Sequence, residues 1–196
     1  MLIRGFKSWC ENVSVQLRKD LALTPIEPLD VKALAEWLGI EIWTPHQIPG
    51  LESKWAHILL KKDPDAWSAV TLAINSNNLI ILNSSHSKAR QASDLTHELS
   101  HILIGHEAGR VDISQDGLLM LSTYNRDQED EANWMAGCLL LPREALAVII
   151  KQQVDFEITA KKYGVSREML RWRINVTGVQ RQFARGRKRI PVRSVQ

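Results

Sequence analysis

The sequence predicts an α+β fold. Helical periodicity occupies both ends of the chain, while the runs with strand character fall between residues 40 and 83. The composition, 44% hydrophobic and 24% charged over 196 residues, is that of one globular domain with room for a small appendage. A metal-binding pattern also lies within one of the helical stretches, where a rigid rod fixes the direction of its side chains.

Phe6 to Leu23 reads as a helix, because Trp9, Val13, Leu17 and Leu21 recur every four residues on one face. Two prolines in TPIEP (24–28) interrupt it. Asp30 is placed to cap a second helix over Val31–Leu38, which Gly39 ends. Ile40–Trp43 reads as a short strand, and residues 44–64 are turn-rich. WSAVTLAI (67–74) and NLIILN (78–83) read as strands of a hairpin. Ser85 to Ser87 carry start signals for a helix from about Ser87 to His106. Residues 107–124, with Gly109 and Gly117, read as a loop. A helix from about Asp127 to Leu140 stops near Pro142. Helices over Arg143–Lys151, Phe156–Tyr163 and Arg167–Val176 follow, with turns at Gly164 and Gly178.

Composition excludes several classes. Cys10 and Cys138 are too few for a disulfide framework or a four-cysteine zinc site, and both fall on apolar helix faces as buried thiols. The longest apolar run, Ala145–Ile150, is far short of a membrane span. The opening MLIRGFKSW lacks a signal-peptide apolar core, so a cytoplasmic location with no membrane partner is expected. There is no Gly-rich phosphate loop and no Gly-x-Ser-x-Gly. Trp9, Trp37, Trp43, Trp55 and Trp67 are expected to pack the core or its edge.

The chemistry is carried by H-E-x-x-H at 97–101. Residues four apart share a helix face, so the imidazoles of His97 and His101 point to one place. Zinc accepts neutral imidazole nitrogen, and Glu98 is the candidate catalytic acid–base group. A catalytic zinc needs a third protein ligand and one open position. The long pattern that would supply a third ligand from the same segment asks for Gly at 104 and His at 107, where this chain has Ile104 and Glu107. His106 is one place off and, on a continuing helix, would point elsewhere. RDQEDEANWMAGCLLLP (126–142) is the best alternative supply. Glu129 is the first candidate ligand, with Asn133 on the same face as a residue that orients a ligand from behind. Glu131 is the rival, about 200° away around the helix. Ala132, Ala136 and Gly137 permit close packing against the histidine helix. Tyr124 and His106 are candidates for oxyanion stabilisation by proximity to the motifs alone.

These segments, LNSSHSKARQASDLTHELSHILIGH (82–106) and E-x-x-A-N-x-M-A-x-x-L-L-x-P (129–142), resemble the ImmA/IrrE family of zinc-dependent metallo-endopeptidases. Residues 17–43 and 160–178 resemble the family's helical beginning and its usual ending. The resemblance implies a zincin-like, gluzincin-type fold, His97, His101 and Glu129 as ligands of Zn2+ (Mn2+ being the alternative ion), and Glu98 as general base. It also implies selective cutting of a protein substrate, a helix-turn-helix repressor of a mobile element or stress response. Thr96 and Ser100 replace the usual Ala and Gly before the two histidines. Trp134 and Met135 replace a usual polar–Phe pair. The expected organisation is a metallopeptidase domain over 1–142, a helix-turn-helix-like extension packed on it over 143–178, and a basic tail over 179–196.

Charge is unevenly spread. Residues 159–196 hold eleven Lys/Arg and one acid, against fourteen bases and twenty-one acids in residues 1–158. Such an end suits an anionic partner. Residues 156–176 fit a helix-turn-helix pattern in part: Ala160, Gly164, Val165 and Leu170 fit, while Thr159 and Arg173 stand where apolar residues are usual. Arg167, Arg171 and Arg173 are the candidate contacts to DNA or a partner protein. The alternative function is accordingly a metal-bearing regulatory or DNA-binding protein without peptidase turnover.

Overall fold

Caps and apolar periodicity set most element boundaries. A computed structural model of the chain describes residues 2–74, 77–106, 111–113, 119–121 and 125–182. Helix α1 (Phe6–Asp20) buries Phe6, Cys10, Ser14, Leu17 and Arg18. This corrects the expected Trp9–Val13–Leu17–Leu21 face, since Trp9 is 42% exposed. The true face was hidden by its two polar members. Ser14 Oγ donates to Cys138 O at 2.7 Å, and the Arg18 guanidinium donates to Leu139 O at 2.6 Å. Buried polar groups that are satisfied in this way look like surface in a hydropathy pattern.

Helix α2 (Val31–Trp37) starts where the Asp30 carboxylate accepts the N–H groups of Lys32 and Ala33. Strand β1 (Glu41–Trp43) follows. The turn-rich stretch holds a short helix, α3 (Ser53–His57), between single helical turns at Pro45–Gln47, Ile58–Lys62 and Pro64–Ala66. Of the expected places for Trp37 and Trp55, the core or its edge, the core is excluded, since both are about half exposed. Strands β2 (Ala69–Ile74) and β3 (Asn77–Leu82) pair antiparallel, with Thr71 opposite Ile80. Strand β1 pairs parallel with the other side of β3. The sheet is therefore mixed, in the order β1-β3-β2, and β2 is an edge strand among the described residues.

Helix α4 (Lys88–Ile104) is capped by Ser87 Oγ, which accepts from Arg90 N–H, and it packs on β2 and β3. Leu95 and Leu99 are buried against the core, with Ile102 and Leu103 at its margin. Two three-residue strands, β4 (Val111–Ile113) and β5 (Leu119–Leu121), form an antiparallel pair where a loop was expected. Three residues are too few to show a strand period. Gly109, Gly117, Tyr124 and residues 183–196 lie outside the described residues.

Helix α5 (Arg126–Leu140) packs on both α4 and α1. It is followed by α6 (Arg143–Gln152), α7 (Phe156–Tyr163) and α8 (Arg167–Thr177). One core joins these elements, including Leu34, Ile80, Leu99, Met135, Leu139, Leu146, Leu170 and Ile174. The α+β arrangement read from the sequence is thus present. No single helix among the described residues is long and apolar enough to cross a membrane.

The C-terminal end of α5 is held by buried polar groups. Beyond Ser14 and Arg18, Arg173 donates to Leu141 O from Nε at 3.1 Å and from Nη2 at 3.0 Å, and to Glu11 Oε1 at 2.7 Å. Helix C-termini leave carbonyls unpaired and carry partial negative charge, so two buried guanidiniums suit this end. Burial lowers the Arg18 pKa to about 10, which leaves it cationic at neutral pH. Gly137 lets α8 approach. A Cβ there would lie 2.6 Å from Trp172 Cζ3 and 2.7 Å from Arg173 Cδ. The small residue thus serves the contact with α8, where contact with the histidine helix was expected.

Candidate metal centre

Helix periodicity brings the first two donors together. On α4, His97 and His101 are one turn apart, and their Nε2 atoms stand 3.0 Å from each other. Their neighbours Thr96 and Ser100 are fully buried. Their hydroxyls donate to Ala92 O and Thr96 O, so these departures from the usual small residues leave no polar group unsatisfied. The third group comes from α5, whose first turn is capped by the Asn125 side chain. Glu129 Oε2 lies 3.1 Å from His97 Nε2, and Glu129 Oε1 lies 3.4 Å from His101 Nε2. Among the described residues these three side chains form the one cluster able to hold a metal ion.

The separations fit an ion. Ligands about 2.0–2.2 Å from a tetrahedral zinc stand roughly 3.3–3.5 Å apart, and the three observed spacings run from 3.0 to 3.4 Å. Hydrogen bonding agrees. Asn133 Oδ1 lies 3.2 Å from His97 Nδ1 and accepts its proton, so that in the neutral ring the Nε2 lone pair faces the cluster. Burial, with His97 and His106 beside it, lowers the His101 pKa to about 4. His101 is therefore neutral at pH 7, the form that ligates, and its approach to Glu129 is not an ion pair.

Glu98 lies beside this cluster and is half-buried, with its Oε2 accepting a hydrogen bond from Thr71 Oγ1 on β2 at 2.5 Å. Burial raises its pKa, against the hydrogen bond from Thr71 and the attraction of His97. Carboxyls held in this way are common where a proton must be taken up and released.

A family model, Peptidase M78 or the IrrE N-terminal-like domain, matches residues 56–175, well over half of the chain. The chain belongs to that family. No curated protein matches this M78 chain. A solved structure described as a Mycobacterium tuberculosis transcriptional regulator resembles it with a TM-score of 0.52 at 15% identity, over 83% of this chain. The M78 chain spans 45% of that structure's length, and likeness at this level concerns the fold.

The structure brings His97, Glu98, His101, Glu129 and Asn133 of the M78 domain to one place. It separates Glu131 from them. Glu131 Oε2 lies 3.0 Å from His106 Nε2, and His106 Nδ1 lies 2.9 Å from His101 Nδ1. His106 stays out of the donor cluster, as expected of a residue one place off, and it packs behind His101 because α4 stops at Ile104. Gly105 takes a left-handed φ of 81°, and the His106 N–H returns to His101 O at 3.0 Å. The signal was in the sequence, as a glycine directly after the last apolar residue. Thr71 had no such signal, because it is 26 residues from His97 on another element. Arg173 is corrected as a nucleic-acid or partner contact, since it is fully buried and bonded to Glu11 and Leu141. Arg167 and Arg171 are exposed, with Arg167 paired to Glu157 at 3.2 Å.

Proposed function

We propose that this M78 chain is a zinc-dependent metallo-endopeptidase of zincin-like, gluzincin type that makes selective cuts in a cytoplasmic protein substrate. The carrying observation is the convergence of His97 Nε2, His101 Nε2 and the Glu129 carboxylate within 3.0–3.4 Å, with Glu98 beside them. His97, His101 and Glu129 would hold the ion. Two imidazoles, one carboxylate and an open position favour zinc over manganese. When bound, the ion supplies Lewis-acid polarisation of the scissile carbonyl.

The remaining work falls to the chain's own groups. Thr71 fixes Glu98 Oε2, and Oε1, which has no hydrogen-bond partner among the described residues, takes a proton from the attacking water and passes it to the departing amine. Asn133 holds the His97 ring from behind. The edge strand β2, which carries Thr71, has unpaired backbone groups on its outer side among the described residues. An extended substrate pairing there would bring its backbone to Glu98. Both nitrogens of His106 are engaged within the protein, so it does not supply the oxyanion donor. We read residues 1–142 as the catalytic part and 143–178 as helices packed on it.

A helix-turn-helix repressor is the proposed substrate. Family membership supports a protein substrate, and the structural neighbour's description supports a setting in transcription. The zinc-loaded chain is incubated with the small repressor encoded nearest to it, beside Glu98→Gln. Wild type cuts the repressor and Glu98→Gln does not. Equal cutting by both, or none by wild type, overturns the reading.

Exposed Arg167 and Arg171 support a second reading, a metal-bearing regulator that binds DNA. It predicts a gel shift that weakens steeply with salt, falls in Arg171→Ala and is indifferent to Glu98→Gln. Absence of a shift at low salt removes it.

A further inference from the structure

We propose that His106 and Glu131 form a positioning chain that sets the tautomer and ring direction of His101 and so tunes metal affinity. The inference rests on reading His101 as a ligand. Its geometry starts from the end of α4. Gly105 turns the backbone, and the His106 ring comes to lie edge-on to that of His101, with centroids 5.0 Å apart at 64°. The His106 side chain is only 6% exposed, and that of Glu131 is 20% exposed.

Proton accounting fixes the chain's direction. A carboxylate accepts and does not donate, so Glu131 Oε2 takes the proton of His106 Nε2–H at 3.0 Å. In the neutral His106 ring, Nδ1 is then an acceptor. It lies 2.9 Å from His101 Nδ1, which is the donor in that arrangement. His101 therefore carries its proton on Nδ1 and presents the Nε2 lone pair to His97 and Glu129. On the other side, Asn133 Oδ1 fixes the same tautomer for His97. Two Nε2 lone pairs facing each other at 3.0 Å cannot hydrogen-bond, and a cation between them relieves the repulsion. Helix α5 thus supplies Glu129 to the cluster and, through Glu131 and Asn133, the supports behind both imidazoles.

Outer partners of ligating histidines typically change metal affinity by roughly 10–100-fold when removed. The full chain is titrated with zinc against a chelator as wild type, His106→Phe, Glu131→Ala, Glu131→Gln and Glu98→Gln. Loss of affinity by roughly 10–100-fold is expected for His106→Phe and Glu131→Ala. Glu131→Gln keeps an acceptor oxygen and stays closer to wild type. Nitrogen NMR of the metal-free wild type is expected to find the His101 proton on Nδ1, and His106→Phe mixes the tautomers. The proposal is overturned if both removals, folded by circular dichroism, bind zinc as wild type does. It is also overturned if wild-type His101 carries its proton on Nε2. Should His106→Phe not fold, Glu131→Ala decides. Failure of the peptidase reading looks different: Glu98→Gln would cut as wild type does, whatever these affinities are.

Discussion

Thr71 is the residue where the sheet meets the candidate site, and it gives a sharp test of how Glu98 is held. Thr71→Val keeps the side chain's shape and removes the hydroxyl that bonds Glu98 Oε2. A hydrogen bond to a charged group is worth about 1.5 kcal/mol or more, so kcat/KM should fall roughly tenfold. Zinc affinity should stay unchanged, because Thr71 touches none of the three donors. Equal loss of zinc would show instead that the valine disturbs α4. The contrast between Thr71 and its neighbours explains what was legible at this scale. His97, Glu98 and His101 stand in one helix turn, and Glu129 with Asn133 in another, so periodicity alone aligns each set. Thr71 joins them through tertiary packing and leaves no local trace. Arg173 did leave one, as a charge on an apolar position of α8. Its burial against Glu11 and Leu141 O follows from that position.

Among the elements, α5 has the most to position, since it brings Glu129, Glu131 and Asn133 to α4 while α8 closes on its far side. Gly137→Ala should test this packing. Its Cβ would meet Trp172 and Arg173 side-chain atoms below 3 Å. Overpacking costs about 1–3 kcal/mol, against a helix-propensity gain of about 1 kcal/mol. At about 2–4 °C per kcal/mol for a chain of this size, Tm should fall by a few degrees in a thermal melt. An unchanged or raised Tm would show that α8 yields freely. A second test concerns the turn between α1 and α2. The Glu27 carboxylate accepts the Thr24 N–H at 2.6 Å, and the Glu27 carbonyl accepts from Arg18 Nε at 3.1 Å. Hydrogen bonds from Thr24 hold the Glu27 pKa below its usual 4.5. A depressed carboxyl pKa contributes stability that is present above the unfolded value and lost as pH falls through the folded one. The stability difference between wild type and Glu27→Gln should therefore be constant from pH 7 to about 5 and shrink below about 4.5. A difference that persists undiminished at pH 3 would assign it to something other than charge. The buried face of α1 was illegible for a related reason: Ser14 and Arg18 are polar yet lie inside, because α5 offers them unpaired carbonyls.

Across the whole molecule, the two helices bearing the donors meet on a single core, and the α+β layout with its central sheet was readable from periodicity. The pair β4–β5 was not, because strands of three residues carry no period. What periodicity also leaves out is how far the metal contributes to holding the layout. His97 and His101 belong to a helix packed on the sheet, and Glu129 to a helix packed on α1. An ion shared by all three would therefore join the sheet side of the fold to its helical side. Such an ion binds the native arrangement and not the unfolded chain, so it should stabilise by mass action, about 2.7 kcal/mol at a free concentration 100 times Kd. Tm should rise by about 5–10 °C on adding zinc and return on adding a chelator. His97→Ala and Glu129→Ala should each remove most of that rise, while Glu98→Gln should keep it, because Glu98 lies beside the donors and is not among them. A zinc-induced rise that survives loss of His97 would place the ion elsewhere and separate α4 from any role in holding it.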